Sequence, residues 1–144
     1  MSQTSYSAEQ AFAFKGMKTD SRLDFVACSM AEAVIDFGVG VKRGTDPEYQ
    51  VLTIDDSGDT FYGIALYEES QTTGDYQISK PVNVLRQGSV VVESTVAVNA
   101  GDPAYVLPAS GNFTNVSTDN VVTGGVFTKT IAGAGITTIE INLP

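Results

Sequence analysis

The stretch VNVLRQGSVVVEST, residues 82–95, carries the strongest β signal in the chain and decides how the rest is read. Val82, Val84 and Leu85 lie on one side of Gln87-Gly88, and Val90, Val91 and Val92 on the other. Apolar, β-branched runs on both sides of a Gln-Gly pair read as two strands, Val82–Arg86 and Ser89–Val98, joined by a hairpin turn at Gln87-Gly88.

The same reading extends outward. Val121–Ile131 and Ile136–Leu143 flank Ala132–Gly135 as a second hairpin. Ile139, Ile141 and Leu143 alternate with Glu140 and Asn142, so one face of the last strand is buried. Further strands are expected at Gln50–Ile54, Thr60–Tyr67 and Ala104–Leu107. Residues 21–37 leave two readings open. Ser21 with Asp24 resembles a helix-capping box, and the following segment is rich in Ala and Met. The preferred reading is a strand over Leu23–Cys28, a break near Met30–Glu32 and a strand over Ala33–Val41, because Gly38 and Gly40 weaken a helix. Composition agrees: 17 Val and 15 Thr stand against 6 Leu, with 14 Gly for turns. The expected fold is all-β, a small antiparallel β-barrel or β-sandwich. An extended N-terminal arm, residues 1–18, precedes a single domain, residues 19–144.

A short phrase occurs twice. GTDPEYQVL (44–52) and AGDPAYVL (100–107) each place Asp-Pro before a Tyr and a Val-Leu pair, and Ser-Gly follows each. Asp-Pro initiates a turn. Each phrase is expected to encode one hairpin whose return strand starts at Phe61 or Phe113. Either two hairpins share good turn chemistry, or the barrel is pseudo-symmetric and built from two related halves.

Charge and chemistry exclude several classes. Eight Lys and Arg against 17 Asp and Glu give a net charge of −9, with no His. An acidic chain without a basic stripe is a poor nucleic-acid binder. No apolar run approaches the ~20 residues of a membrane helix, and Met1–Gln10 shows no signal-peptide pattern. Cys28 is the sole cysteine and has no His to activate it, so it is expected to be a small core residue rather than a nucleophile. Asp55, Asp56 and Asp59 could offer oxygens to a cation. An EF-hand would need Glu where Leu66 stands, so a solvated turn is preferred and no metal is assigned. Glu68-Glu69 reads as a charged rim. Gly38-Val39-Gly40 and Gly124-Gly125 lack the strand–helix setting of a phosphate loop. No catalytic residue and no cofactor are expected. A carbohydrate- or cell-surface-binding β-sandwich is the alternative class, but the chain has no Trp and only 6 Tyr for a stacking platform.

The most partner-like residues lie near the N-terminus. Phe12 and Phe14 alternate with small residues, and Met17 follows. Lys15, Lys18 and Arg22 put positive charge there. These six are the expected contact residues for a neighbouring subunit or assembly.

FGVGVKRGT (37–45), GDTFYGIAL (58–66), VNVLRQGSVVVEST (82–95), AGDPAYVLPASGNFT (100–114) and ITTIEINLP (136–144) occur in this order. Together they resemble the structural cement, or head decoration, proteins of tailed bacteriophages, over roughly residues 11–144. Ser89-Val90 departs from the basic and bulky pair that the resemblance leads one to expect. The resemblance implies a non-enzymatic protein made in the host cytoplasm and found in the virion. It would bind the outside of the assembled head, bridge major capsid subunits and self-associate as a homo-oligomer, a trimer in preference to a dimer. No nucleic acid, membrane or cofactor is implied.

Overall fold

Residues 82–95 do not turn back. In the computed structural model, which describes residues 15–19, 24–68 and 73–143, they belong to one strand of 14 residues, Pro81–Ser94. The described elements are β1 (Phe25–Ala31), β2 (Ile35–Asp36), β3 (Gly40–Arg43), β4 (Gln50–Thr53), β5 (Gly63–Ala65), β6 (Asp75–Tyr76), β7 (Pro81–Ser94), β8 (Pro103–Val106), β9 (Phe113–Thr114), β10 (Val121–Phe127) and β11 (Gly135–Asn142). No helix occurs among the described residues.

The expected turn at Gln87-Gly88 is instead the site of a bulge. Pairing of β7 with β1 steps from Gln87↔Phe25 to Leu85↔Val26, so Arg86 is the extra residue. A bulge shifts the alternation of faces by one residue. Before it, Val82 and Val84 point into one core; beyond it, Val90 and Val92 point into the core that Leu85 already faces. Gly88 follows with φ of 135°, a backbone that L side chains rarely adopt. Gln-Gly between apolar runs therefore marks re-phasing here, not reversal.

Around β7 the sheet closes twice. The pairings β1-β4-β3-β5-β7 return to β1, and β7-β11-β10-β8-β9 return to β7. Each ring has five strands and the same topology in chain order. The first strand is parallel to the third (β1–β4, β7–β9). The third–second, second–fourth, fourth–fifth and fifth–first pairs are antiparallel in both rings. β7 is the fifth strand of one ring and the first of the next. The protein is thus two topologically equivalent small barrels that share a strand.

The repeated phrase does not mark this repeat. In the first ring it forms the turn between the second and third strands, β3 and β4; in the second ring it leads into the second strand, β8. The hairpin expected after Asp102-Pro103 forms, with Val106 paired to Phe113. The one expected between Val51-Leu52 and Phe61 does not, because β3 lies between β4 and β5 and pairs with both. Asp-Pro is shared turn chemistry at two unrelated places.

Each ring fills its own core. Ile35, Val39, Val41, Val51, Tyr76, Val82 and Val84 pack in the first. Val90, Val92, Val106, Phe113, Phe127, Ile139 and Ile141 pack in the second, joined by Ile54, Phe61, Ile64 and Leu66 from first-ring segments. Residues 25–31 are strand, not helix. The break falls at Glu32–Val34, and the strand expected over Ala33–Val41 is split by a turn at Phe37-Gly38. Cys28 is exposed rather than buried. It pairs with Asn83, whereas Ala27 and Ser29 pair with Val84 and Val82 of the first core. Alternation therefore turns Cys28 outward.

The β2–β6 pair caps the first ring. Tyr76 is fully buried there, with Phe37 edge-on at 5.2 Å, and its hydroxyl donates to the Leu66 carbonyl at 2.6 Å.

Two outcomes test this architecture. Because both cores hang on β7, unfolding is expected as one cooperative transition. Ile35→Ala in the first ring and Phe127→Ala in the second should each lower the midpoint of that same transition, at costs of about 2–5 and 3–5 kcal/mol. Two separable transitions in calorimetry would contradict the shared strand. Burial also pushes the Tyr76 phenol up to about 12. Its contribution to stability is complete below the unfolded tyrosine value of about 10 and is lost as pH rises toward the folded one. Thermal melts from pH 9 to 12 should show an alkaline loss that Tyr76→Phe reduces; parallel loss in both proteins would rule out this group.

Candidate functional site

Of the six expected contact residues, Phe12, Phe14 and Arg22 lie outside the described residues. Lys15, Met17 and Lys18 lie together on the flank of β7. The Gly16 N–H donates to the Val91 carbonyl at 2.7 Å, the Val91 N–H to the Met17 carbonyl at 2.8 Å, and the Thr19 N–H to the Ser89 carbonyl at 3.2 Å. On the other side, the Tyr67 N–H donates to the Gly16 carbonyl at 2.9 Å. Gly16 is required at this crossing: its φ is +85°, and a Cβ would sit 2.6 Å from the Tyr67 nitrogen. Residues 15–19 are therefore laced onto β7 through an isolated antiparallel bridge, Lys18↔Val90.

The two lysines of this segment have partners on the same chain. Lys18 pairs with Asp24 at 2.8 Å, and the Lys15 ammonium donates to Asn112 Oδ1 at 3.3 Å. Ser89, where the resemblance leads one to expect a basic residue, is buried and meets the Thr19 hydroxyl at 2.7 Å.

A second cluster of cations went unnoticed in the sequence. Lys42 and Arg43 end β3, Tyr62 precedes β5, and Arg86 is the bulge residue of β7. With Gly58–Phe61 they line a cleft of about 420 Å³. Both guanidiniums lie over the Tyr62 ring, Arg43 at 4.5 Å and Arg86 at 4.3 Å from its centroid. Such cation–π contacts contribute about 0.5–1 kcal/mol each at exposed sites. Arg43 also donates to the Pro47 carbonyl at 2.6 Å, and Arg86 donates to the carbonyl of Tyr62 itself. The one available signal was that these residues fall within three of the quoted stretches, KRG, FYG and LRQ.

The acidic turn closes one end of this cleft. The Lys42 ammonium bridges Asp55 at 2.5 Å and Asp59 at 2.9 Å. It sits where a metal ion would have to bind, and no metal-holding group of His, Cys, Asp and Glu occurs among the described residues. Burial works to raise the Asp59 carboxyl. The Lys42 ammonium and the backbone N–H groups of Asp55 and Asp56 outweigh it and hold the carboxyl below its ordinary value. Glu68 accepts from Asn83 Nδ2 at 3.2 Å; Glu69 lies outside the described residues. On the outer face of β10, Val122 and Val126 are exposed.

The comparisons with known proteins carry the assignment. A family model described as structural cement protein (E217 gp24/Pam3 gp6) matches residues 2–142. The chain is a member of the phage structural cement protein family. Its role is capsid decoration, within a family of structural virion proteins. The fold agrees. A chain of the structure "The capsid of Myoviridae Phage XM1" superposes with a TM-score of 0.74 at 19% identity, covering 97% of this chain and 96% of that one. A chain of "The crystal structure of head fiber gp8.5 N base in bacteriophage phi29" superposes with a TM-score of 0.58 at 11% identity, covering 83% and 94%. A search of curated proteins finds no match.

The acidic turn of this cement protein has a direct test. Replacing Lys42 by Met should raise the titration midpoint of Asp59, measured by NMR. The sign for stability follows from a depressed carboxyl: its contribution is present above the unfolded value of about 4 and is lost as pH falls through the folded one. Lys42→Met should therefore flatten the acid decline of the melting temperature. An unmoved Asp59 midpoint would show that the backbone donors alone set it.

Proposed function

We propose that this cement protein binds the outer surface of the assembled phage head and ties neighbouring major capsid subunits together, with its N-terminal segment as the clamp. The observation that supports this is the lacing of residues 15–19 onto β7, which gives the preceding segment a fixed point of departure from the domain. Phe12 and Phe14 lie just before that point and offer about 1.5–3 kcal/mol each on burial. Ordering an extended segment costs about 1–2 kcal/mol per residue. Two aromatic anchors do not offset that cost over a whole arm, so main-chain hydrogen bonds to a neighbouring sheet edge belong to the same reading. Lys15, Met17, Lys18 and Arg22 complete the contact residues of this reading, with Lys18 already paired to Asp24 and Lys15 bonded to Asn112.

The action is by mass balance. A protein that binds the closed shell and not its separate subunits stabilises the shell in proportion to its occupancy. No turnover is part of this function. Cement subunits associate with one another as trimers, since cyclic closure presents one arm per copy in equivalent positions. The exposed valines of β10 supply an apolar face for that contact.

Deletion of residues 2–14 tests the clamp while sparing the laced segment. The shortened protein should keep its β circular dichroism and lose at least about tenfold in head affinity by co-sedimentation; Phe12→Ala with Phe14→Ala should reproduce most of the loss. Undiminished occupancy and affinity on heads would remove the arm from the contact.

A further inference from the structure

We propose that the open edge of β1, Phe25–Ser29, accepts residues 10–14 of a second copy of this cement protein as an added strand. The inference rests on the head-binding reading above and deepens it, since it names the sheet edge that the N-terminal segment meets.

The backbone is the first argument. The Ala31 N–H donates to the Lys80 carbonyl on the β7 side, and the Met30 N–H to the Tyr49 carbonyl on the β4 side. Successive residues of a strand direct their N–H and C=O groups to opposite edges, so Val26 and Cys28 direct theirs away from β7. Among the described residues no strand pairs with them there. Free edges ordinarily carry charge or proline against unwanted pairing. Phe25–Met30 has neither, on a chain of net charge −9. Phe25 is 49% exposed and Met30 38%, and Tyr49, 52% exposed, abuts the Met30 end.

The complement is the second. Gln10-Ala11-Phe12-Ala13-Phe14 is equally uncharged and alternates small with large. The core-facing residues of the β1 edge, Ala27 and Ser29, are small and half-buried. Phe12 and Phe14 set beside them close that rim, with Ala13 beside Cys28 on the outer face. Main-chain hydrogen bonds then supply the affinity and the alternate side chains the register.

Reach decides whose segment it is. Gly16 is held at Val91 and Cys28 lies opposite Asn83, roughly 25 Å apart along β7. Phe12 stands four residues before Gly16 and extends at most about 14 Å from it. The chain's own aromatics therefore fall short of its own edge, and those of a neighbour fill it. Donor and acceptor are different surfaces, so copies join head to tail and close into a ring.

Cys28, the sole cysteine and exposed, makes the contact measurable by cross-linking. Directly opposed strand residues have Cα atoms ~4.5–5.5 Å apart, within the ~4.4–6.8 Å span of a disulfide. Protein carrying Ala13→Cys with Cys28→Ser, mixed with the wild type and mildly oxidised, should give a linked pair of chains, joined between position 13 of one copy and Cys28 of the other, both free and on heads. Ala132→Cys with Cys28→Ser, its thiol on the exposed β10–β11 turn, should link at least tenfold less. Phe12→Ala with Phe14→Ala should raise the dissociation constant of the oligomer at least tenfold in light scattering. Cys28→Pro should do the same with its β circular dichroism kept, because it removes an N–H that points off the edge. Absence of the link, or undiminished association of the Phe12→Ala, Phe14→Ala protein, would overturn the contact. A link formed by protein that does not sediment with heads would overturn the head-binding reading and leave the contact standing. Head binding lost in Cys28→Pro with the oligomer unchanged would assign the edge to a capsid strand and overturn the contact likewise.

Discussion

The whole architecture depends on the bulge at Arg86. A strand of 14 residues would ordinarily keep one face toward one core along its length. Inserting one residue reverses the phase, so the first half of β7 serves one barrel and the second half the other. Val84 and Leu85 are adjacent and both fully buried because they face different cores. Remove the bulge, and Val90 and Val92 would be driven out of the second core. The same residue that re-phases the strand also projects a guanidinium onto Tyr62. The cleft is therefore a by-product of the device that joins the rings, and it cannot drift relative to them.

Much of the fold was legible because alternation and β-branching report local environment directly. β10 alternates buried and exposed at every position, and β11 nearly so, although the register of β10 against β8 shifts between Val122 and Val126. Gln87-Gly88 failed because a tight turn and a bulge ask for the same residues. Both want a glycine free of φ restrictions between apolar runs, and only the partner strands decide between them. Cys28 failed for a related reason. Its burial depends on which of two faces of β1 meets Val82 and Val84, and neighbouring residues of similar size carry no phase. The two rings share a topology without sharing a recognisable sequence, because pairing order is fixed by non-local contacts. The cement assignment was legible in the order of the quoted stretches, whereas Arg43, Tyr62 and Arg86 were separated by too many residues to be seen as one cluster.

Electrostatics sorts the cations into distinct roles. Lys18 and Lys42 are held by carboxylates of their own chain at 2.8 to 2.9 Å, and such exposed pairs contribute little to stability. Their effect is to cancel charge locally within a Debye length of about 8 Å. Arg43 and Arg86 are also oriented, by the Tyr62 ring and by the Pro47 and Tyr62 carbonyls.

Closure also settles which partner contacts the backbone can make. An open sheet exposes unpaired N–H and C=O groups along its edges and invites other strands to pair there. Here both rings of the large sheet return on themselves, and the flank of β7 left between β1 and β9 is filled by residues 15–19. β1 keeps an edge open only over Phe25–Ser29, since β4 covers just Met30 and Ala31. A protein with so little free edge offers strands one short place to add. If strand addition ties it to a shell, either the open edge of β1 accepts a strand or the chain donates one.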